Sequence, residues 1–260
     1  MGKYKIGITE RGDAGLDFSW ENKLQDMDGA ILITKNVNDE FIKHMMDQDT
    51  GKIVLHIGCT GYGGSVLEPK VPRPCVQLTQ AVRLIEAGFP ISHTVVRVAP
   101  IIPTGKGIRK AQNVIQNFMN QGFFRFRLSV LDMYKHVKKR FADANVASPY
   151  GDAFSASSEQ FAAVDAMVDS IQKDWFTFMA GLNDSKLRIE SCAEPKLKSP
   201  IPCGCISAYD FKLMGLDPEA ADDDGHQREE CLCCSGKTEL LKNKTRCPHQ
   251  CLYCYWQDVK

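Results

Sequence analysis

The runs His93-Thr-Val-Val-Arg-Val-Ala99 and Phe123-Phe-Arg-Phe-Arg-Leu-Ser-Val130, with a helical pattern from Gly107 to Gln121 between them, decide the fold. β-branched and aromatic residues dominate both runs, and Gly122 stops the helix just before the second one. Strand, helix, strand is the order of a parallel pair, because parallel neighbours need a crossover long enough to return the chain to the same end.

Outward from that unit the alternation continues in both directions. Further strand candidates are Tyr4–Thr9, Ala30–Thr34, Lys52–Ile57 and Leu187–Ser191. Asn38 can cap a helix reaching about Asp47, and Pro74 suits the first turn of one running to Ala87, with Gly88 just past its end. Ser157 or Ser158 with Glu159 opens a long helix ending near Gly181, and residues 142–156 read as a loop. Six βα units predict an α/β fold: a partial (β/α)6 TIM-type barrel over residues 1–191, followed by a Cys-rich segment over residues 192–260. Functional side chains in such a barrel follow the strands. Here those positions hold Glu10-Arg11-Gly-Asp13, Thr34-Lys35-Asn36, Cys59-Thr60-Gly-Tyr-Gly63, Arg97 with Ala99-Pro100, Ser129 through Asp132 and Tyr134, and Cys192-Ala-Glu194. The set suits a cofactor site, although any single member reads equally well as an ordinary polar loop residue.

The 260 residues can bury a sizeable core, and 32 basic against 32 acidic side chains give no global electrostatic case for nucleic acid. No apolar run approaches the roughly 18 residues of a membrane span, and Met1-Gly-Lys-Tyr-Lys5 opens no signal-peptide core, so a cytosolic chain without a membrane partner is expected. Nine of the eleven cysteines follow residue 190, too uneven for a disulfide framework and a pattern of metal ligation in a reducing compartment.

Three of these cysteines form Cys247-Pro-His-Gln-Cys251-Leu-Tyr-Cys254. Four thiolates are the usual complement of a cubane iron–sulfur cluster, so a loop offering three leaves one iron open to a substrate. A zinc site more often shows paired Cys or Cys/His motifs. With Tyr253 just before the last cysteine, the loop resembles the signature of the radical S-adenosylmethionine (radical SAM) enzymes. The resemblance implies that the open iron of the 4Fe–4S cluster chelates SAM, and that an electron, from a donor such as flavodoxin or ferredoxin, cleaves it to a 5′-deoxyadenosyl radical.

Two wider resemblances accompany it. Thr34-Lys35-Asn36, Glu68-Pro69, Leu84-Ile-Glu-Ala-Gly-Phe-Pro90 and Ala99-Pro-Ile-Ile-Pro103 look like consecutive landmarks of the spore-photoproduct-lyase-like branch. That branch begins with the cysteine loop, whereas here the loop comes last, which implies a circularly permuted barrel. Arg11, Asp13, Thr60-Gly-Tyr-Gly63, Leu131-Asp-Met-Tyr-Lys135, Cys192-Ala-Glu194, Gln227-Arg228 and Cys231-x-Cys233, together with the terminal loop, resemble a bacterial family of unknown function with a C-terminal cluster motif. The departures are Ala99, where that family tends to have Asp, and the extra Cys203 and Cys234.

The roles implied are these. Lys35 holds the SAM carboxylate, Glu10 or Asp13 accepts from its ammonium, and Tyr253 packs on adenine. Asn36, Arg97, Ser129, Asp132 and Tyr134 are further cofactor or substrate contacts, Arg97 being equally readable as an ion-pair partner. Cys59 is either a hydrogen-atom donor to a product radical or a packed thiol, and Cys75 packs as a small apolar group. Cys192, Cys205, Cys231 and Cys233 suit an auxiliary 4Fe–4S cluster, with structural zinc as the competing reading. His226 and His249 are available as metal ligands but read first as ordinary loop histidines. The expected reaction is isomerase, mutase or lyase chemistry on a modified thymine in DNA, with Arg125, Arg127, Lys135, His136, Lys138, Lys139 and Arg140 as phosphate contacts, or as a solvated helix face. A peptide or amino-acid substrate and a non-catalytic zinc-stabilised binding protein are the alternatives.

Overall fold

A computed structural model of the chain describes residues 4–178, 187–220, 231–234, 236–241 and 247–256. All six strand candidates form, as β1 Ile6–Ile8, β2 Gly29–Thr34, β3 Ile53–Gly58, β4 Thr94–Ile101, β5 Arg125–Val130 and β6 Arg188–Cys192. The Cys-rich segment adds β7 Ile201–Cys203 and β8 Thr238–Glu239. Pro202 inside one and the brevity of the other left no strand pattern to read. The eight form one sheet in the order β7-β6-β5-β4-β3-β2-β1-β8, and every pairing is parallel. From β1 to β7 each strand lies beside its successor, so the crossovers all step the same way and the order never reverses.

The helices are α1 Glu21–Leu24, α2 Asp39–Met46, α3 Pro74–Glu86, α4 Gly105–Met119, α5 Lys135–Asp143, α6 Ser158–Phe178 and α7 Ala208–Leu213. Asn38 caps α2 by accepting from the Phe41 N–H at 2.7 Å. α4 begins two residues before its expected start, because Thr104 Oγ1 takes the Gly107 N–H at 3.2 Å. Gly107 is fixed there by space: a Cβ would stand 1.9 Å from the Ile102 carbonyl oxygen. Among the stretches read as loop, residues 142–143 close α5.

Period-two alternation sorts the strands between two layers. Leu32, Leu55, Ile57, Val96, Phe126 and Leu128 face α2, α3, α4 and α6 in one buried cluster. Their neighbours Ile6, Ile8, Ile31, Val54 and Val95 face the other way, where Ile206, Phe211 and Met214 of the Cys-rich segment cover them. That second face also buries charge. Arg125 Nε lies 3.2 Å from both Glu190 oxygens and Arg127 Nη2 lies 2.7 Å from Glu190 Oε2. Arg125 and Asp210 stand 2.7 Å apart, off hydrogen-bond alignment. Asp210 closes a capping box with Ser207 at the start of α7, so the cluster fastens α7 to β5 and β6. Arg125 and Arg127 are therefore ion-pair partners inside the protein, not phosphate contacts. The side chain of His56, buried beside Arg127, is held well below the usual imidazole range by burial first and then by the arginines.

Candidate cluster and cofactor site

At the C-terminal ends of β1 and β2 lies a pocket whose wall combines Glu10, Arg11, Asp13, Thr34 and Lys35 with Cys247, His249, Cys251, Tyr253, Cys254 and Trp256. The terminal loop and the early strands thus meet at one place. Five contacts hold the loop there. The Leu252 N–H donates to the Leu67 carbonyl at 3.0 Å. Arg140 donates to the carbonyls of Leu252, at 2.9 Å, and Cys254. His249 Nε2 lies 2.8 Å from Asp13 Oδ2, and its Nδ1 lies 3.2 Å from the Lys70 carbonyl oxygen. Both ring nitrogens thus face oxygen atoms of the early strands and their loops.

Asp13 is the knot of this arrangement and is too occupied to accept from a ligand ammonium. Its Oδ1 takes the Gly15 N–H at 2.8 Å and the Thr34 hydroxyl at 2.5 Å, while its Oδ2 takes the Lys35 N–H at 2.7 Å and His249. Glu10 keeps its place in the pocket, 3.4 Å from the Lys237 ammonium. The turn carrying Glu10 and Arg11 is set by Glu239 of β8, which accepts both backbone N–H groups at 3.1 and 3.0 Å. Arg11 lies over the Trp256 ring, 4.8 Å from its centroid.

Lys35 sits between Glu68 and Tyr253. Its ammonium lies 2.6 Å from Glu68 Oε1 and 3.1 Å from the Tyr253 hydroxyl, leaving a third donor for a ligand. Tyr253 also donates to Glu68, and the Thr60 hydroxyl reaches Glu68 Oε2 at 2.8 Å. Burial alone would lower the Lys35 pKa, but the charge and hydrogen bond of Glu68 raise it above the ordinary lysine range. Burial would raise Glu68, and Lys35 pulls it below its ordinary value instead. Burial pushes the thiols of Cys247 up to about 11 and Cys251 up to about 12. Bound thiolates must be deprotonated, so a cluster on this loop has to displace protons.

Several expected contacts lie elsewhere. Asn36 turns toward α3, its side-chain oxygen 3.5 Å from Gln80 Nε2. Cys59 is fully buried in the helix-facing core, its thiol pushed up to about 12 by burial, so it packs and does not line the pocket. Ser129 is half-buried and outside the pocket wall. Arg97 faces Cys192 and Cys205 on the inner side of the sheet. Tyr253 does stay in the pocket wall, but it is buried, with its hydroxyl donating to Glu68 and its ring beside Lys35. Tyr134 stands at the rim with Phe154 and Tyr255, both with ring centroids 5.0 Å away. Of the expected basic run, Arg140 holds the cysteine loop, Lys138 donates to the Asp152 carbonyl at 2.5 Å and Lys139 pairs with Asp143. Cys75 is exposed on the first turn of α3, not packed.

Of the auxiliary cysteines, the sulfurs of Cys192 and Cys205 stand 3.4 Å apart, and Cys233 is brought near by the backbone approach of Gly204. Burial would lower the Lys237 pKa, but Cys205, Glu10, Cys233 and Cys231 together counter it and raise that value. Cys203 turns away, 4.0 Å from Glu190 Oε2. His226, Gln227 and Arg228 lie outside the described residues. Among the described residues no group of three or more His, Cys, Asp or Glu side chains is placed to hold a metal ion. No helix among them is long and apolar enough to cross a membrane.

Lys237 went unread in the sequence, and Glu68, His249 and Arg140 were read there as a landmark, a loop histidine and a phosphate contact, not as the supports of this site. Their signal was weak because each acts through a partner distant in sequence. No curated protein matches the chain. A family profile described as a domain of unknown function, DUF1848, matches residues 19–256. With nearly all of its length matched, the chain belongs to the DUF1848 family.

Proposed function

We propose that the chain is a radical SAM enzyme built on a circularly permuted partial barrel. The observation that carries this reading is the meeting of Cys247, Cys251 and Cys254 with Lys35 on one pocket, from opposite ends of the sequence. The unreversed parallel order of β1–β6 supports a barrel wall, and the attachment of the terminal loop across the ends of β1–β3 supports a permutation that moves the loop without moving its place. The donor set fits a cubane: three thiols on one loop, with no fourth Cys in the pocket wall among the described residues. With SAM bound, such a cluster supplies an electron for reductive cleavage and so a 5′-deoxyadenosyl radical that takes hydrogen from substrate.

The chain's own residues bind and orient. Lys35, with two donors held by Glu68 and Tyr253, offers its remaining donor to the carboxylate of the cofactor. Glu10 is the acceptor for the cofactor's ammonium, and Trp256 with Arg11 covers the pocket edge. Arg140 and His249 keep the cysteine loop in register with Lys35.

The substrate reading is a planar nucleobase, a modified thymine in DNA. Support comes from the exposed aromatic side chains of Tyr134, Phe154 and Trp256 at the rim. A small amino-acid or peptide substrate is the second reading, favoured by the engagement of Arg125, Arg127, Lys138, Lys139 and Arg140 within the protein. The test is anaerobic reconstitution followed by assay of 5′-deoxyadenosine from SAM plus reductant, with DNA, nucleoside and peptide candidates. Formation that depends on all three terminal cysteines and on Lys35 is expected. Stoichiometric zinc without iron on the terminal loop would make the chain a binding protein and end the proposal.

A further inference from the structure

We infer that the face beside the terminal cysteine loop, formed by the turn after β3 and the first turns of α3 and α4, docks a small acidic protein that donates single electrons. This rests on the radical SAM reading of the loop and adds the place where its reductant binds. The face carries the side chains of Lys70, Arg73, Lys106 and Arg109, all exposed. Among the described residues none of the four forms an ion pair. Their own segments offer no partner either. Glu68 is the one carboxylate between Asp49 and Glu86, and it is buried against Lys35. No acidic residue stands between Glu86 and Asp132. On a chain with no net charge, these stretches concentrate one sign.

Two helices begin on this face, and neither has an acidic residue in its first turn. A helix N-terminus carries partial positive charge and favours carboxylates. Arg73 at the N-cap of α3 and Lys106 in the first turn of α4 therefore stand where stability alone would prefer an acid. Helix ends and cations add to one positive field, which steers and favours an acidic partner. The parts are joined. Lys110 of α4 donates to the Gly61 carbonyl at 2.9 Å and lies over the Tyr62 ring, and a Cβ on Gly64 would stand 3.1 Å from Arg73 Cγ.

The same turn touches the cysteine loop directly. The Leu67 carbonyl accepts the Leu252 N–H at 3.0 Å, and the Lys70 carbonyl oxygen lies 3.2 Å from His249 Nδ1. Val66 and Lys70 thus reach solvent at or next to residues that hold the loop. None of the four cations lines the pocket, so a docked partner and a pocket ligand use different side chains. Val66 and Val76, 55% and 43% exposed, lie among the cations. An apolar centre in a charged rim is the anatomy of a protein contact, and contacts to a phosphate backbone are polar. Electron-transfer encounters are small, weak and steered by charge, which suits a face of this kind. In the encounter a flavin hydroquinone anion gives one electron, keeps its proton and leaves as the neutral semiquinone. The terminal-loop cluster takes up that electron, and no bond forms or breaks.

The experiment titrates the anaerobically reconstituted full chain with flavodoxin as the acidic probe. Calorimetry reads binding, and loss of the iron–sulfur absorption band reads reduction by the hydroquinone. Wild-type binding should weaken as salt rises. Lys106→Glu combined with Arg109→Glu should weaken binding at low salt about tenfold or more and slow reduction by a similar factor. Both changes put acid near the start of α4, which favours the helix, so the fold should hold. Dithionite needs no docking and should still bleach the band of the double variant at the wild-type rate. Lys212→Glu, exposed on α7 over the other face of the sheet, should change neither binding nor reduction. Flavodoxin binding untouched by the double reversal overturns the docking face. So does a slowing that dithionite shares, or a duplex oligonucleotide that displaces flavodoxin and loses affinity on the same reversal. A wild type without the iron–sulfur band ends the radical SAM reading itself, and the donor's role with it.

Discussion

Replacing Glu68 by Gln keeps the shape of the side chain and removes its charge. Glu68 is fully buried, and its carboxylate takes the Lys35 ammonium at 2.6 Å, the Thr60 hydroxyl at 2.8 Å and the Tyr253 hydroxyl. Breaking a buried pair by removing one partner costs about 3–5 kcal/mol, because the other charge stays behind uncompensated. With 19% of the Lys35 side chain exposed, water screens part of that loss, and the lower end, about 3 kcal/mol, applies. For a chain of this size that is a fall in Tm of about 6–12 °C. The control is Asp39→Asn: its pair with Arg83 is as close, at 2.5 Å, but the side chains are 73% and 52% exposed, so it should cost less than about 1 kcal/mol. Urea denaturation of both variants measures the difference, and Lys35→Met added to Glu68→Gln should recover part of the loss. The pH dependence has a definite sign. Lys35 lowers the Glu68 pKa, so this contribution is present above the unfolded value near 4.5 and fades as pH falls through the depressed folded one. Glu68 raises Lys35, whose contribution is present below 10.5 and fades as pH rises through the raised folded value. Between those limits the gap between wild type and Glu68→Gln should be flat. A Glu68→Gln cost no larger than that of Asp39→Asn would refute the buried-pair argument.

Arg140→Ala frees the Leu252 and Cys254 carbonyls and should lower iron retained by the reconstituted chain at least severalfold, whereas Lys139→Ala should leave metal content unchanged. Gly15→Ala puts a Cβ 2.1 Å from the Asn36 carbonyl oxygen and 2.6 Å from Thr34 Oγ1, so it should destabilise by roughly 1–3 kcal/mol in thermal melts and weaken the Asp13 knot. Burial would raise Asp210 and Glu190, but Arg127 and Arg125 pull both below their ordinary values. The cluster therefore stabilises above about pH 4 and less as pH falls, and Glu190→Gln should flatten the acid limb of a stability-against-pH curve.

The strands were legible where their pattern was strong. β4 and β5 read from β-branched and aromatic runs, and Asn38, Pro74 and Gly88 marked helix ends that the structure repeats. β7 and β8 were not legible, because three and two residues carry no period and their stability comes from neighbouring strands. The meeting of Lys35 with the terminal cysteines was expected from resemblance alone, and the roles around it were less readable. Asp13 reads as a rim carboxylate in sequence, but its four acceptor contacts come from residues 15, 34, 35 and 249, and only folding discloses that it is saturated. Arg125 and Arg127 failed in the opposite direction. Beside a basic helix they suggest an exposed patch, yet they occupy alternate positions of a strand whose inner face is closed by α7.

The buried arginines also explain why the Cys-rich segment has to fold back at all. The inner face of the sheet carries Ile6, Ile8, Ile31, Val54 and Val95 together with two arginines and a glutamate, a mixture that neither water nor an apolar layer satisfies. Ile206, Phe211 and Met214 cover the apolar part, and Asp210 supplies the charge the arginines lack after Glu190. One segment therefore answers both demands. The same excursion leads to the Gly204 contact with Cys233 and to β8 beside β1, where Glu239 orders the Glu10 turn. Asp210→Asn should then do more than loosen α7. If the segment acts as one unit, the variant's hydrogen exchange should rise both at Ile206–Met214 and at Gly7–Ile8, and exchange confined to α7 would show that the inner face and the sheet edge are independent.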